Sequence, residues 1–250
     1  MFEVFILAAG LGTRLKDLTK DKPKALVEIG GKTLLEHNIN KLISFGCKRI
    51  IINVHHFADK IIEHIDSKNY DADIIISDER ALLLDTGGAI LNARNLFSKD
   101  KDILVHNVDI ISKINFLELY NYHKTNKSLA TLAVAKRETS RYLLFCRENM
   151  LCGWENIKTK ERIIVDNSYD INELYPYAFS GIHFIKPQII DLFDKKEKVF
   201  PIIPQYLNIV SKNRGLNQRN SFKAYLHSEE IWVDCGRETS FAKAISLLHP

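Results

Sequence analysis

The residues best equipped for chemistry gather early in the chain. A branched-apolar run, Val4 to Leu7, leads directly into Ala8-Ala9-Gly10-Leu11-Gly12-Thr13-Arg14-Leu15, and Pro23-Lys24-Ala25-Leu26 follows. Small residues in such a loop let backbone N–H groups approach phosphate oxygens. Arg14 and Lys24 then lie at the C-terminal edge of the first strand, where open α/β sheets bind ligands. Two cations beside a glycine loop suit a triphosphate.

Two familiar phosphate loops are excluded by counting. A dinucleotide fingerprint needs a third glycine where Leu15 stands, with a helix opening at once. Gly31-Lys32-Thr33 has the ending of a nucleoside-triphosphate loop, but Leu26 occupies the position of its first glycine, so a turn into a helix is expected instead.

Later residues add candidates. Gly87-Gly88 precedes the apolar Ala89-Ile90-Leu91 and is expected to open a helix whose backbone approaches a base edge and ribose. Asp109 follows the strand Ile103 to Val105 and Asp234 follows Ile231 to Val233; two carboxylates at strand ends can share Mg²⁺ between two substrates' phosphates. Trp154-Glu155-Asn156 could stack on and hydrogen-bond a sugar, although an aromatic in a β segment also suits a core. His55-His56 is no metal pair, since adjacent side chains in a strand point to opposite faces.

The elements that must position these residues are legible as well. Val4 to Leu7, Ile50 to Val54, Ile74 to Ile76, Ile103 to Val105 and Leu129 to Val134 lack polar alternation, the pattern of strands buried on both faces. Between them Leu34, Leu35, Ile39, Leu42 and Ile43, then Phe57, Ile61, Ile62 and Ile65, repeat at helical spacing. Strand and helix in turn predict βαβ units around a mainly parallel sheet. After about residue 136 shorter β pieces follow at Leu143 to Phe145, Ile163 to Val165 and Phe179 to Ile185. Helices are expected near Pro187 to Phe193, Phe200 to Val210 and Phe241 to Leu248.

Composition bounds the class. The 250 residues, 46% hydrophobic and 26% charged, suit one large α/β domain, with a first half to about 135 and a second from about 136 to 250. A net charge of +4, evenly scattered, gives no nucleic-acid surface. Four cysteines without a CxxC pair argue against zinc and for a reducing cytoplasm. Neither a signal peptide nor a membrane span is expected.

The string LAAGLGTRLKDLTKDKPKAL resembles the signature LAAGxGTRLxPLTxxxPKxL of the sugar-1-phosphate nucleotidyltransferases, also called pyrophosphorylases. Leu84-Asp85-Thr86-Gly87-Gly88-Ala89, Val105-His106-Asn107-Val108-Asp109, Phe179-Ser180-Gly181-Ile182-His183 and Trp232-Val233-Asp234-Cys235-Gly236 extend the resemblance over nearly the whole chain. It implies a Rossmann-like, three-layer α/β/α fold of the GT-A type, with a mainly parallel mixed sheet. It further implies that Ala8, Gly10, Gly12, Thr13, Thr86, Gly87, Gly88 and Asn107 line a nucleotide. Arg14 is then at the outgoing pyrophosphate, Lys24 at the phosphate under attack, and Asp109 and Asp234 on Mg²⁺. Trp154, Glu155, Ser180 and Gly181 are expected on the sugar.

The chain looks most like short bacterial members without a C-terminal β-helix. UTP and N-acetylmuramate 1-phosphate are the favoured substrates, with guanylyl transfer to heptose or mannose 1-phosphate as the alternative. A monomer or homodimer is expected, with no nucleic-acid or membrane partner. Two positions depart from the family pattern: Asp17 replaces a proline, and Val108 replaces the glycine before the metal aspartate. Valine disfavours positive φ, so an altered geometry is expected there, and with it a further alternative, a nucleotide-binding homologue with impaired turnover.

Overall fold

The computed structural model describes residues 2–212 and 222–248. Its elements run β1 (Glu3–Leu7), β2 (Glu28–Ile29), β3 (Lys32–Thr33), α1 (Leu34–Ser44), β4 (Arg49–Val54), α2 (Ala58–Asp66), β5 (Asp73–Asp78), α3 (Asp85–Asn92), β6 (Ile103–Asn107), β7 (Ile110–Ser112) and α4 (Phe116–Thr125). They continue with β8 (Ala130–Ala135), β9 (Arg141–Phe145), β10 (Leu151–Asn156), β11 (Glu161–Ile164), β12 (Tyr175–Ile185), α5 (Ile202–Lys212), β13 (Phe222–Leu226), β14 (Trp232–Asp234) and α6 (Phe241–Leu248).

A ten-stranded mixed sheet dominates. Strands β6, β1, β4 and β5 lie side by side and parallel, as the first-half pattern predicts. Alternating side chains separate the two faces: Val4, Ile6, Ile50 and Ile52 pack with α1, α2 and α4, whereas Phe5, Ile51 and Val105 pack with α3 and α5. Helices on both faces bury the central strands completely, which is why those strands read as unbroken apolar runs.

The halves join through β12. It runs antiparallel to β6, β8 and β9 at once, and its register against β8 shifts between Phe179 and His183. Gly181 stands inside that irregularity at φ 70°, a conformation glycine adopts without a Cβ penalty. The sheet beyond β12 is antiparallel, carried by β9, β10 and β11.

Local sequence explains the helix starts. Thr33 and Glu36 form a reciprocal capping box at α1. Helix α5 begins at Ile202 rather than at Phe200, because Pro201 holds Phe200 out of the helix and Thr86 Oγ1 accepts the Ile202 N–H at 3.0 Å. The expected helix near Pro187 to Phe193 is a six-residue 3-10 turn, Pro187–Leu192. Ile231 likewise belongs to a 3-10 turn preceding β14.

The two-stranded sheet of β7 and β14 matters most for chemistry. It is antiparallel, opposing Asp234 to Ile110, and the Cys235 N–H donates to the Asp109 carbonyl at 2.8 Å. Two aspartates 125 residues apart in sequence are thereby fixed side by side.

Candidate active site

Asp109 is the centre of the site. It is only 7% exposed, and the Lys24 ammonium donates to its Oδ2. Arg14 Nη2 lies 3.8 Å from the same oxygen while Nη1 lies 3.7 Å from Asp234 Oδ2, so one guanidinium spans both carboxylates. Burial pushes the Asp109 carboxyl above the usual range and the Asp234 carboxylate adds to the rise, while Lys24 pulls it down. Among the described residues no cluster of three or more His, Cys, Asp or Glu side chains exists, so a zinc cage does not fit. Two adjacent carboxylates suit a hard cation such as Mg²⁺, and Asp109 and Asp234 are the residues that would hold it.

Loop geometry places the cations. Gly12 is at φ 68°, and a Cβ there would meet Thr19 Cγ2 at 2.9 Å and Lys24 Cβ at 3.0 Å, so the loop folds down onto Lys24 only with glycine. Gly236 has the matching role for Arg14: a Cβ would stand 2.4 Å from Nη2. Gly10 has nothing within 4 Å of its Cβ position and faces open cavity.

Two cavities meet here. The first, about 450 Å³, lies at the C-terminal ends of β1, β4, β5 and β6 and is lined by Ala9, Gly10, Lys24, Thr86, Asn107 and Asp109 among others. The second, about 850 Å³, is lined by Arg137, Tyr142, Lys158, Trp232, Asp234 and Arg237 among others. Arg14 lines both, with Asp109 on one side of it and Asp234 on the other.

Several expected contacts turn out otherwise. The Ala8 N–H is taken up by Asn53 Oδ1 at 2.6 Å. Thr13 opens an exposed 3-10 turn and lines neither cavity. Gly87 and Gly88 do not present free backbone to a ligand: both N–H groups donate to the Phe200 carbonyl, and a Cβ on Gly88 would lie 2.3 Å from the Lys198 carbonyl oxygen. They allow α3 to dock on the segment before α5. Trp154 packs against the core, and Glu155 accepts from Arg162 at 2.9 and 2.6 Å across the β10–β11 ladder. Ile157 and Lys158, just beyond them, line the second cavity instead. Ser180 is fully buried, its Oγ 2.8 Å from His227 Nε2, and Gly181 makes room for the Asn107 amide, so neither faces the second cavity. Val108 has no positive φ; its side chain joins the core while its carbonyl accepts from Asn38, so valine fits without distortion.

A family model described as nucleotidyl transferase matches residues 3–143. An N-acetylmuramate alpha-1-phosphate uridylyltransferase of Caulobacter vibrioides is 31% identical over 225 residues, covering 84% of each chain. The chain belongs to the nucleotidyl transferase family. A mannose-1-phosphate guanyltransferase of Yarrowia lipolytica is 28% identical over 250 residues, a match spanning 97% of this chain and 62% of that longer one. The crystal structure of HddC from Yersinia pseudotuberculosis complexed with GMP-PN shares the fold, with a TM-score of 0.72 at 23% identity and coverage of 99% and 100%.

In this nucleotidyltransferase three further residues belong to the cavities. Asn53 is the penultimate residue of β4 and Glu79 directly follows β5; Asn53 Nδ2 donates to Glu79 Oε1 at 2.8 Å while its Oδ1 takes the Ala8 N–H, and Asn53 and Glu79 line one wall of the first cavity. Burial raises the Glu79 carboxyl. Arg137 is the third, on the turn after β8. A polar residue closing an apolar strand is the signal that could have found the first two. Arg137, among many surface cations, carries no such mark.

Proposed function

We propose that this nucleotidyltransferase joins a nucleoside triphosphate to a sugar 1-phosphate, releasing pyrophosphate, with UTP and N-acetylmuramate 1-phosphate as the preferred pair. The observation that carries the reading is the meeting of two cavities at one cluster of Lys24, Arg14, Asp109 and Asp234. A transfer between two bound phosphates needs such a junction, with positive charge where negative charge accumulates and the reacting oxygens in line. The acceptor phosphate is already anionic, so no side-chain nucleophile or strong base is required.

Lys24 is assigned to the phosphate under attack and Arg14 to the departing pyrophosphate. Asp109 and Asp234 would hold Mg²⁺, which supplies charge neutralisation between the two substrates' phosphates. Gly10 gives the nucleotide close access to the backbone, and Thr86 and Asn107 line the same cavity. Preference for N-acetylmuramate 1-phosphate and UTP is supported by the Caulobacter relative, matched over most of both chains. Guanylyl transfer to mannose 1-phosphate is the second reading, supported by the Yarrowia relative over nearly all of this chain.

Pyrophosphate release is the test, with Mg²⁺, each common nucleoside triphosphate and a panel of sugar 1-phosphates. Fastest release with UTP and N-acetylmuramate 1-phosphate is expected. Release only with GTP and mannose or heptose 1-phosphate would transfer the assignment to the second reading, and nucleotide binding without release from any pair would refute both.

A further inference from the structure

Of the cations lining the second cavity, Lys158 and Arg237 are exposed to solvent, whereas Arg137 is half-buried. Arg14 has its two aspartates, and Lys243 Nζ donates to the Glu229 carbonyl at 3.3 Å. Arg137 has no carboxylate within ion-pair distance among the described residues. Its guanidinium carbon lies 4.3 Å from the centre of the Trp232 ring, and Nη2 donates to the Phe179 carbonyl at 2.8 Å. Nε is buried without a hydrogen-bond partner.

This guanidinium is held rigidly. Trp232 is itself 8% exposed, and its Nε1 donates to the Ser180 carbonyl at 2.8 Å, while Ser180 Oγ pairs with His227. The bulge in β12 therefore fixes the ring, and the ring fixes the arginine plane. Burial works against the charge while Asp234 and Glu229 favour it from beyond ion-pair distance, so a half-buried, oriented guanidinium at a cavity wall, with no direct ion pair, is suited to an anion. Position defines which anion. Trp232 and Asp234 are two residues apart on β14 and so share a face, which puts the Arg137 guanidinium on the same side of the strand as the candidate metal carboxylate, and both line the second cavity.

We propose that Arg137 is the anchor for the 1-phosphate of the acceptor, binding it through Nη1 and the remaining Nη2 hydrogen while Trp232 and the Phe179 carbonyl hold the fork in place. The inference rests on the reading of the second cavity as the acceptor site, but not on which sugar enters it. Loss of the anchor weakens the acceptor alone, because Arg137 does not line the nucleotide cavity.

Steady-state kinetics of Arg137→Met and Arg137→Lys test this with whichever substrate pair the wild-type protein turns over. Arg137→Met is expected to raise the KM for the sugar 1-phosphate about 10- to 100-fold, the range of one charge-assisted contact, with the KM for the nucleotide unchanged. Arg137→Lys should fall between. A folded Arg137→Met protein with an unaltered acceptor KM, or with both KM values raised together, would overturn the anchor and leave a structural role. A second readout needs no turnover. The chain has two tryptophans, so in Trp154→Phe only Trp232 emits. A sugar 1-phosphate added with Mg²⁺ and a non-hydrolysable nucleotide should shift that emission, and the unphosphorylated sugar should not. Persistence of the shift in Trp154→Phe/Arg137→Met, or its absence in Trp154→Phe, contradicts the proposal. A wild-type protein active on some other pair would refute the preferred substrates while leaving this test intact.

Discussion

The first and second halves of this protein build their cavities in different ways. In the first, parallel strands β1, β4, β5 and β6 all end at one edge, so residues that follow a strand in sequence also line the cavity: Ala9 and Gly10 after β1, Asn53 at the end of β4, Asn107 and Asp109 around the end of β6. In the second, antiparallel strands alternate direction, and the cavity is lined from the β8–β9 turn, the residues after β10 and the β14 region. The strand residues in between, Glu155 and Ser180, are occupied in holding the sheet together. Parallel architecture concentrates a site in short contiguous motifs, whereas antiparallel architecture disperses it.

The seam between the halves gives the largest expected effect. His106 on β6, His183 on β12 and His123 on α4 are buried there, and burial holds them down to about 3, about 3 and about 4. They are neutral in the folded protein and take up protons on unfolding at any pH between those values and the ordinary 6.5. Their contribution to stability is therefore complete above pH 6.5 and is lost as pH falls through the window below it, by about 1.4 kcal/mol per pH unit for each histidine. Urea unfolding at pH 7.5, 6.5 and 5.5 should show a single transition that moves sharply only between the last two. Two separate transitions would instead mean that the halves are independent domains.

Next in size is Lys24→Ala, expected to cut turnover by about 10²–10³-fold through loss of the cation at the transferring phosphate. The variant also leaves Asp109 buried without its ammonium partner, so circular dichroism must first establish that it is folded. Unchanged turnover would break the assignment. A pair of glycine variants sharpens the contrast between motif residues that face the cavity and those that face the fold. Gly88→Ala forces a methyl against the Lys198 carbonyl and should destabilise by about 1–3 kcal/mol, outweighing the better helix propensity of alanine. Gly10→Ala meets nothing in the protein, and should leave thermal stability unchanged while weakening nucleotide affinity in a binding titration. The smallest effect is expected for Glu155→Ala, which removes a cross-strand pair with Arg162 worth about 0.2–1 kcal/mol and should alter turnover less than twofold.

The same contrast explains what could be read from sequence. The parallel core was legible because each buried strand is an apolar run and each helix repeats its apolar face at helical spacing, as in Leu35, Ile39 and Leu42. Arg14, Lys24, Asp109 and Asp234 were legible because the resemblance is carried by strings that contain them. That Asp109 and Asp234 act together was expected as well, but the pairing of β7 with β14 that brings them together was not legible. Gly87, Gly88, Ser180 and Gly181 lie in equally recognisable strings, yet their packing shows them making room for Phe200, Lys198 and Asn107. A motif marks a position where few residue types fit, and close packing restricts residue type as strictly as a ligand does. Arg137 became visible only through its neighbours, Trp232 and the Phe179 carbonyl.

The most direct test of a transfer centre between the two cavities is a crystal structure with a bound nucleoside diphosphate sugar. The base and ribose are expected in the cavity lined by Gly10 and Asn107, and the sugar in the cavity lined by Arg137 and Trp232. The diphosphate should cross between them beside Lys24, Asp109 and Asp234. A product seated wholly in one cavity, with its phosphates away from Asp109, would contradict it.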